Sequence, residues 1–286
     1  MSIWSEPQSD SLFVDVDGLR VHYKRAGHGP AVVLLHGSAS SLHHFEGVAS
    51  RLSASYDVIR PDLPGWGLTG PRADRNYRVP TYAATVARFL EALGVRRSVV
   101  VGNSLGGNIG WNLTVDRPER VSALVLVNAT GYPEKSLPTG MRLARNPLLR
   151  PLLRRAMPRR VIERNLRSAV GPNPRIAEES MAQMVERSYQ LMSRPGNRSA
   201  FVDFVNTDQP DRSAEISGIA VPTLVLRSAG IDGQHFARDI PGARELVHPE
   251  GGHLLPEEDP HWVGGAIATF LDSHSDSTRQ RQGGRP

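Results

Sequence analysis

Two glycines bracket a serine in Gly102-Asn103-Ser104-Leu105-Gly106-Gly107, directly after the β-branched run Ser98-Val99-Val100-Val101 and directly before a helical stretch over 105–115. A chain that passes from strand to helix this quickly holds its central residue in a strained backbone conformation. Flanking glycines are required there because any side chain would clash. The turn lifts the Ser104 hydroxyl clear at the carboxyl edge of a sheet, over the positive end of the following helix, where a developing oxyanion would be stabilised. A merely flexible turn needs no such context, so Ser104 is the candidate nucleophile.

The rest of the chain repeats the alternation around that turn. Short apolar strands are expected over 12–16, 19–23, 31–35, 56–60, 98–101, 121–127, 223–226 and 244–248, with helices over 42–52, 82–93, 105–115 and 261–273. The first two strands, joined at Asp17-Gly18, read as a hairpin. The others, separated by helices, read as a mostly parallel open α/β sheet flanked by helices. The rhythm breaks between Thr130 and Arg212, which is helical, punctuated by proline and free of strand pattern. The expected organisation is an α/β core over 11–130 and 213–274, a helical insertion over 131–212, and a polar, disordered tail over 275–286.

Composition removes several classes. With no cysteine in 286 residues, disulfide scaffolds, thiolate metal sites and cysteine nucleophiles are excluded. The first residues carry Glu6 and Asp10 and no apolar leader, and no apolar run approaches the ~20 residues of a membrane span, so a cytoplasmic protein without a span is expected. The formal net charge of +5 comes almost wholly from arginine, Lys24 and Lys135 being the only lysines, and nucleic-acid binding is not expected. His36, His43 and His44 have no acidic companion that would suit a metal, and no metal or cofactor is called for.

The serine turn, the His36-Gly37-Ser38 turn, the loop Asp62-Leu63-Pro64-Gly65-Trp66-Gly67 and the late Gly251-Gly252-His253 together resemble the α/β-hydrolase fold superfamily, in its motif order of serine, acid and histidine. The resemblance implies Ser104 as nucleophile and His253 as general base. The glycine loop after a strand independently brings His253 to the same sheet edge. It implies Asp232 as the acid, in the loop after strand 223–226, with Asp239 or an acid elsewhere as alternatives. It implies an oxyanion hole of the Leu105 and Ser38 amides, with Ala39 as second choice for the latter. His36 is expected to pack or to orient backbone.

The insertion resembles the family's substrate-selecting cap. Trp66 at the pocket rim, Asn103 beside the nucleophile and Arg187 in the cap are candidate substrate contacts. Arg187 lies where cap arginines meet acidic substrates in some carbon–carbon bond hydrolases of the superfamily. The segment 142–167 carries nine arginines among interleaved leucines, which reads as an amphipathic cap helix with a solvated basic face, or as attraction for an anionic substrate or surface. Met181, Met184 and Met192 are expected to fill apolar core.

These readings imply a serine hydrolase acting on a small or medium apolar ester or lactone, as monomer or homodimer. Alternatives are a carbon–carbon bond hydrolase acting on vinylogous diketones, or a hydrolase-fold receptor without turnover. Epoxide hydrolases and dehalogenases need an acidic nucleophile where Ser104 stands.

Overall fold

In a computed structural model, the described residues are 3–133, 139–172, 176–231 and 233–283, with side chains described for 3–133, 141–172, 176–231 and 233–274. Eight strands form one sheet: β1 (Leu12–Val16), β2 (Leu19–Ala26), β3 (Ala31–Leu35), β4 (Asp57–Pro61), β5 (Ser98–Asn103), β6 (Val121–Val127), β7 (Thr223–Ser228) and β8 (Arg244–His248). Their order is β1-β2-β4-β3-β5-β6-β7-β8, antiparallel where β2 meets β1 and β4 and parallel from β4 to β8. The β1–β2 hairpin turns at Asp17 (φ 53°) and Gly18 (φ 79°), the left-handed pair that matches the twist of a two-residue hairpin.

Period-two alternation divides the core between the two faces. Val33, Leu35, Val100 and Leu124 belong to one cluster with Phe89 and Trp111, from helices α2 (Val79–Ala92) and α3 (Leu105–Asp116). Val32, Leu34, Val99 and Val101 belong to the other with Val48, Val263 and Phe270, from α1 (Glu46–Leu52) and α11 (Pro260–Gly283). A parallel strand covered on both faces needs the continuous apolar runs that made these strands legible.

Between β6 and β7 the chain forms α4 (Thr139–Arg145), α5 (Arg150–Arg155), α6 (Arg159–Ala169), α7 (Glu178–Met192) and α8 (Asn197–Asn206), with no strand among the described residues. Two short helices, α9 (Phe236–Asp239) and α10 (Leu255–Glu258), follow β7 and β8. Helix α11, expected to close at Ser273, continues to Gly283. Polar composition argued for a disordered tail there, but polar residues such as Gln and Arg extend a started helix readily; 284–286 lie outside the described residues. No helix among the described residues is long and apolar enough to cross a membrane.

Candidate active site

Ser104 caps α3 with φ 53° and ψ −114°, a conformation that strains any residue with a Cβ. Its N–H donates to Val127 O at 3.1 Å, and its own carbonyl accepts from Asn108 N and Thr130 N at 3.0 and 3.2 Å. These bonds fix the turn against the end of β6. A Cβ on Gly106 would stand 2.0 Å from Leu35 O, and one on Gly102 would stand 2.2 Å from Gly106 O. The glycines therefore let α3 start against the ends of β3 and β5. The Cβ position of Gly37 lies 3.3 Å from Ser104 Cβ, so the His36-Gly37-Ser38 turn stands directly beside the serine.

That turn is held by His36. The ring is fully buried; Nδ1 donates to Gly37 O at 2.7 Å and Nε2 accepts from Leu63 N at 3.0 Å. Burial drives its pKa down to about 4, in keeping with this neutral tautomer. His36 thus orients backbone, as expected. Asp62 anchors the adjoining loop: its carboxylate accepts from Leu42 N, Leu68 N and His22 Nδ1 at 2.7–2.8 Å. Burial pushes the Asp62 carboxyl up, but the His22 hydrogen bond and charge, with the Leu68 N–H, hold it below its ordinary value.

His253 follows β8 in the loop before α10, and its backbone neighbourhood is tied on every side. Asn103 Nδ2 donates to His253 O at 3.1 Å and to Val127 O at 3.1 Å. Asn128, at the end of β6, donates to Gly252 O at 2.9 Å, and Ser228, at the end of β7, donates to the same oxygen at 2.7 Å. The buried Glu258 carboxylate accepts from Gly252 N at 2.9 Å, Leu254 N at 3.1 Å and Gly171 N at 2.9 Å. His253 N donates to Ala169 O at 2.6 Å, at the end of α6. A Cβ on Gly252 would strike Gly171 N at 2.2 Å, so the histidine loop and the α6–α7 junction touch backbone to backbone.

The candidate substrate contacts sort differently. Asn103 is buried, and its amide nitrogen is spent on the two carbonyls just named; it positions the His253 loop, a task invisible from its place beside Ser104. Trp66 is buried edge-on against Phe201 and Phe204 of α8, with ring centroids 6.3 and 5.7 Å away. It lines a cleft with Ala39, Ser41, Arg187, Leu191 and Met192. Ser104 is not on this cleft's lining, which lies between the His36–Ser38 turn region and α7.

Arg187 meets Glu257 at 2.5 Å, and Glu257 also accepts from His44 Nδ1 at 3.0 Å. Burial pushes the Glu257 carboxyl up, but the Arg187 charge and the His44 hydrogen bond outweigh it and hold the pKa near 2. Met181, Met184 and Met192 are buried, as expected of apolar filling. Asp232 lies outside the described residues. Asp239, the alternative acid, ends α9 with both oxygens engaged, by Arg238 at 2.6 and 2.9 Å and by Tyr132 OH at 2.8 Å; the Arg238 hydrogen bond draws its pKa down to about 2. No cluster of three metal-ligating side chains occurs among the described residues.

Sequence reasoning missed Asn128, Ser228 and Glu258. Glu258 sits in the acidic run Glu257-Glu258-Asp259 at a helix, which reads as an exposed, dipole-favoured surface.

The chain matches the family model described as alpha/beta hydrolase fold over residues 30–260. It is 28% identical over 266 residues to YugF, an uncharacterized hydrolase of Bacillus subtilis, covering 90% of this chain and 96% of that one. It is 33% identical over 289 residues to a 2-hydroxy-6-oxononadienedioate/2-hydroxy-6-oxononatrienedioate hydrolase of Burkholderia vietnamiensis, covering 91% and 95%. A thermophilic esterase from Thermogutta terrifontis superposes with a TM-score of 0.76 at 22% identity, covering 93% and 99%, which speaks for the fold alone. The chain belongs to the alpha/beta hydrolase fold family, and it is a hydrolase of that fold.

Proposed function

We propose that this protein is a serine hydrolase that cleaves a carboxylic ester or lactone through an acyl-enzyme. The observation that carries this reading is the strained Ser104 at φ 53°, between the Gly37 turn on one side and the α3 N-terminus on the other. Ser104 Oγ attacks the substrate carbonyl carbon while His253 takes its proton. The carbonyl oxygen becomes an oxyanion facing the backbone N–H groups of Leu105 and Ser38. Collapse expels the alcohol, which His253 protonates, and water then attacks the acyl-enzyme by the same route. Asp232 orients His253; the engagement of Asp239 with Arg238 and Tyr132 supports this choice. Neither metal nor cofactor enters these steps.

The insertion over 131–212 serves as the cap, and its Leu191 and Met192 meet Trp66 of the core along a narrow cleft. A second reading, carbon–carbon bond hydrolysis, is motivated by the Burkholderia relative, whose name specifies a dioate. The Arg187–Glu257 pair speaks against it: a cap arginine already neutralised by a buried carboxylate offers little to a substrate carboxylate.

The test is intact mass after exposure to a fluorophosphonate, comparing wild type with Ser104→Ala. The expected result is one adduct on wild type alone, followed by turnover of short p-nitrophenyl esters in preference to dienone acids. A folded wild-type sample that takes no adduct removes Ser104 from the mechanism.

A further inference from the structure

The arginine-rich part of the insertion has no task in the proposed chemistry, and its surface is unlike an ordinary solvated helix. Residues 139–172 contain nine arginines against one carboxylate, Glu163. Within the same stretch Leu148 is 86% exposed, Leu152 61%, Leu143 51% and Val161 40%. These are four of the nine exposed large hydrophobic side chains among the described residues, gathered within nineteen positions. Single exposed leucines are common on soluble proteins, whereas a cluster marks a contact surface.

The helices are built to present it. Leu153 of α5 packs on the core, while Leu152 and Arg155 of the same helix, and Leu148 two residues before it, are exposed at i, i+4 and i+7 spacing. In α6, Ile162 and Leu166 face inward, leaving Arg160, Val161 and Arg164 outside. Arg154, Arg159 and Arg167 are paired with Asp203, Glu186 and Glu178. Arg155, Arg160 and Arg164 are exposed and have no ion pair among the described residues.

We propose that this outer face of α4–α6 docks on an anionic lipid surface, the leucines entering the headgroup boundary and the unpaired arginines meeting lipid phosphates. Phosphate alone would not call for exposed leucines, which disfavours RNA. Two copies of so basic a face repel each other, which disfavours self-association. Docking of this kind is peripheral and needs no membrane-spanning helix. It goes beyond the hydrolase reading and is tested without it.

The experiment is co-sedimentation of the whole protein with vesicles of phosphatidylcholine, with and without phosphatidylglycerol, at low and high salt. The expected result is binding to the anionic vesicles only, weakened by salt. Each arginine near an anionic surface contributes about fivefold, so replacing Arg155, Arg160 and Arg164 together by Gln should weaken binding about 100-fold. Leu148→Ser/Leu152→Ser should weaken it further at unchanged salt dependence. All variants should keep wild-type melting and wild-type rates on a soluble ester, since these side chains are exposed. Equal binding to neutral vesicles, absence of binding, or variants that bind like wild type overturn the proposal. RNA retention that equals vesicle binding and survives the leucine changes would overturn it in favour of a nucleic-acid face. Concentration-dependent dimerisation lost in the leucine variant would overturn it in favour of a second copy.

Discussion

Replacing Glu258 separates a residue that stabilises the fold from one that sets the position of His253, the proposed general base. One carboxylate oxygen accepts from Gly171 N and Gly252 N, and the other from Leu254 N, all at 2.9–3.1 Å inside the protein. Glu258→Ala orphans three donors; at ~1–3 kcal/mol for each buried unsatisfied group the loss is at least about 3 kcal/mol, a large share of a typical ~5–15 kcal/mol stability. Glu258→Gln is the more telling change. Its single oxygen keeps the Gly171 and Gly252 bonds, and its amide N–H₂ then confronts Leu254 N–H, costing about 1–3 kcal/mol.

In a chain this long that cost is roughly 2–10 °C in Tm. Because Leu254 is the next residue after His253, relief of the clash moves the imidazole, and misplacement near 1 Å lowers turnover by up to ~100-fold. The expected outcome for Glu258→Gln is therefore a modest fall in Tm by circular dichroism, a ten- to hundredfold fall in kcat, roughly, on a p-nitrophenyl ester, and KM little changed. The acid limb of the pH–rate profile should also move, since His253 would titrate in an altered setting. A lowered Tm with kcat within twofold of wild type and an unmoved pH profile would refute the positioning role and leave Glu258 a stabilising residue only.

Other perturbations test the remaining parts. Asp232→Asn should lower kcat by about 10³–10⁴ in the same ester assay; a loss below tenfold would point to another acid. Glu257 has its pKa depressed from 4.5 to about 2, so the stability it contributes is complete above 4.5 and is lost as pH falls through that window, about 3 kcal/mol in all. Urea midpoints measured from pH 2 to 6 should therefore fall less steeply in Glu257→Gln, from a lower plateau because Arg187 is left buried without its partner. His36, depressed from 6.5 to about 4, adds a second acid-sensitive window: its contribution is complete above 6.5 and declines toward 4, since the unfolded chain binds the proton first. Gly106→Ala should cost about 3 kcal/mol or more and abolish turnover, because the new methyl would overlap Leu35 O; wild-type activity would show that α3 can move without harm.

What could be read beforehand follows physical lines. The strands β3, β5 and β6 announce themselves because a strand buried on both faces must be apolar throughout. The serine turn was legible because glycine is a steric requirement with few substitutes, and the hairpin because Asp17-Gly18 supplies two left-handed residues. Residues that hold the site through hydrogen bonds were not legible. Asn128, Ser228 and Glu258 belong to types that lie mostly on surfaces, and what makes them structural is a partner 87 to 124 positions away, or a loop closed by the fold itself. Arg187 shows the same limit: its match to Glu257, 70 positions on, depends on how the insertion returns to the core.

The backbone junction between the end of α6 and the histidine loop bears on how this fold could acquire new substrates. Exchanging lids between relatives is an obvious route to altered selectivity, and the insertion looks transplantable when only its two chain crossings near residues 131 and 212 are considered. A third attachment exists at Ala169–Gly171, where the guest must present a carbonyl to His253 N, an amide to Glu258 and no side chain against Gly252. A grafted insertion lacking that small patch would loosen the His253 loop while leaving every proposed triad residue in the sequence. Chimeras of this protein should therefore be cut so that 169–171 travels with the host.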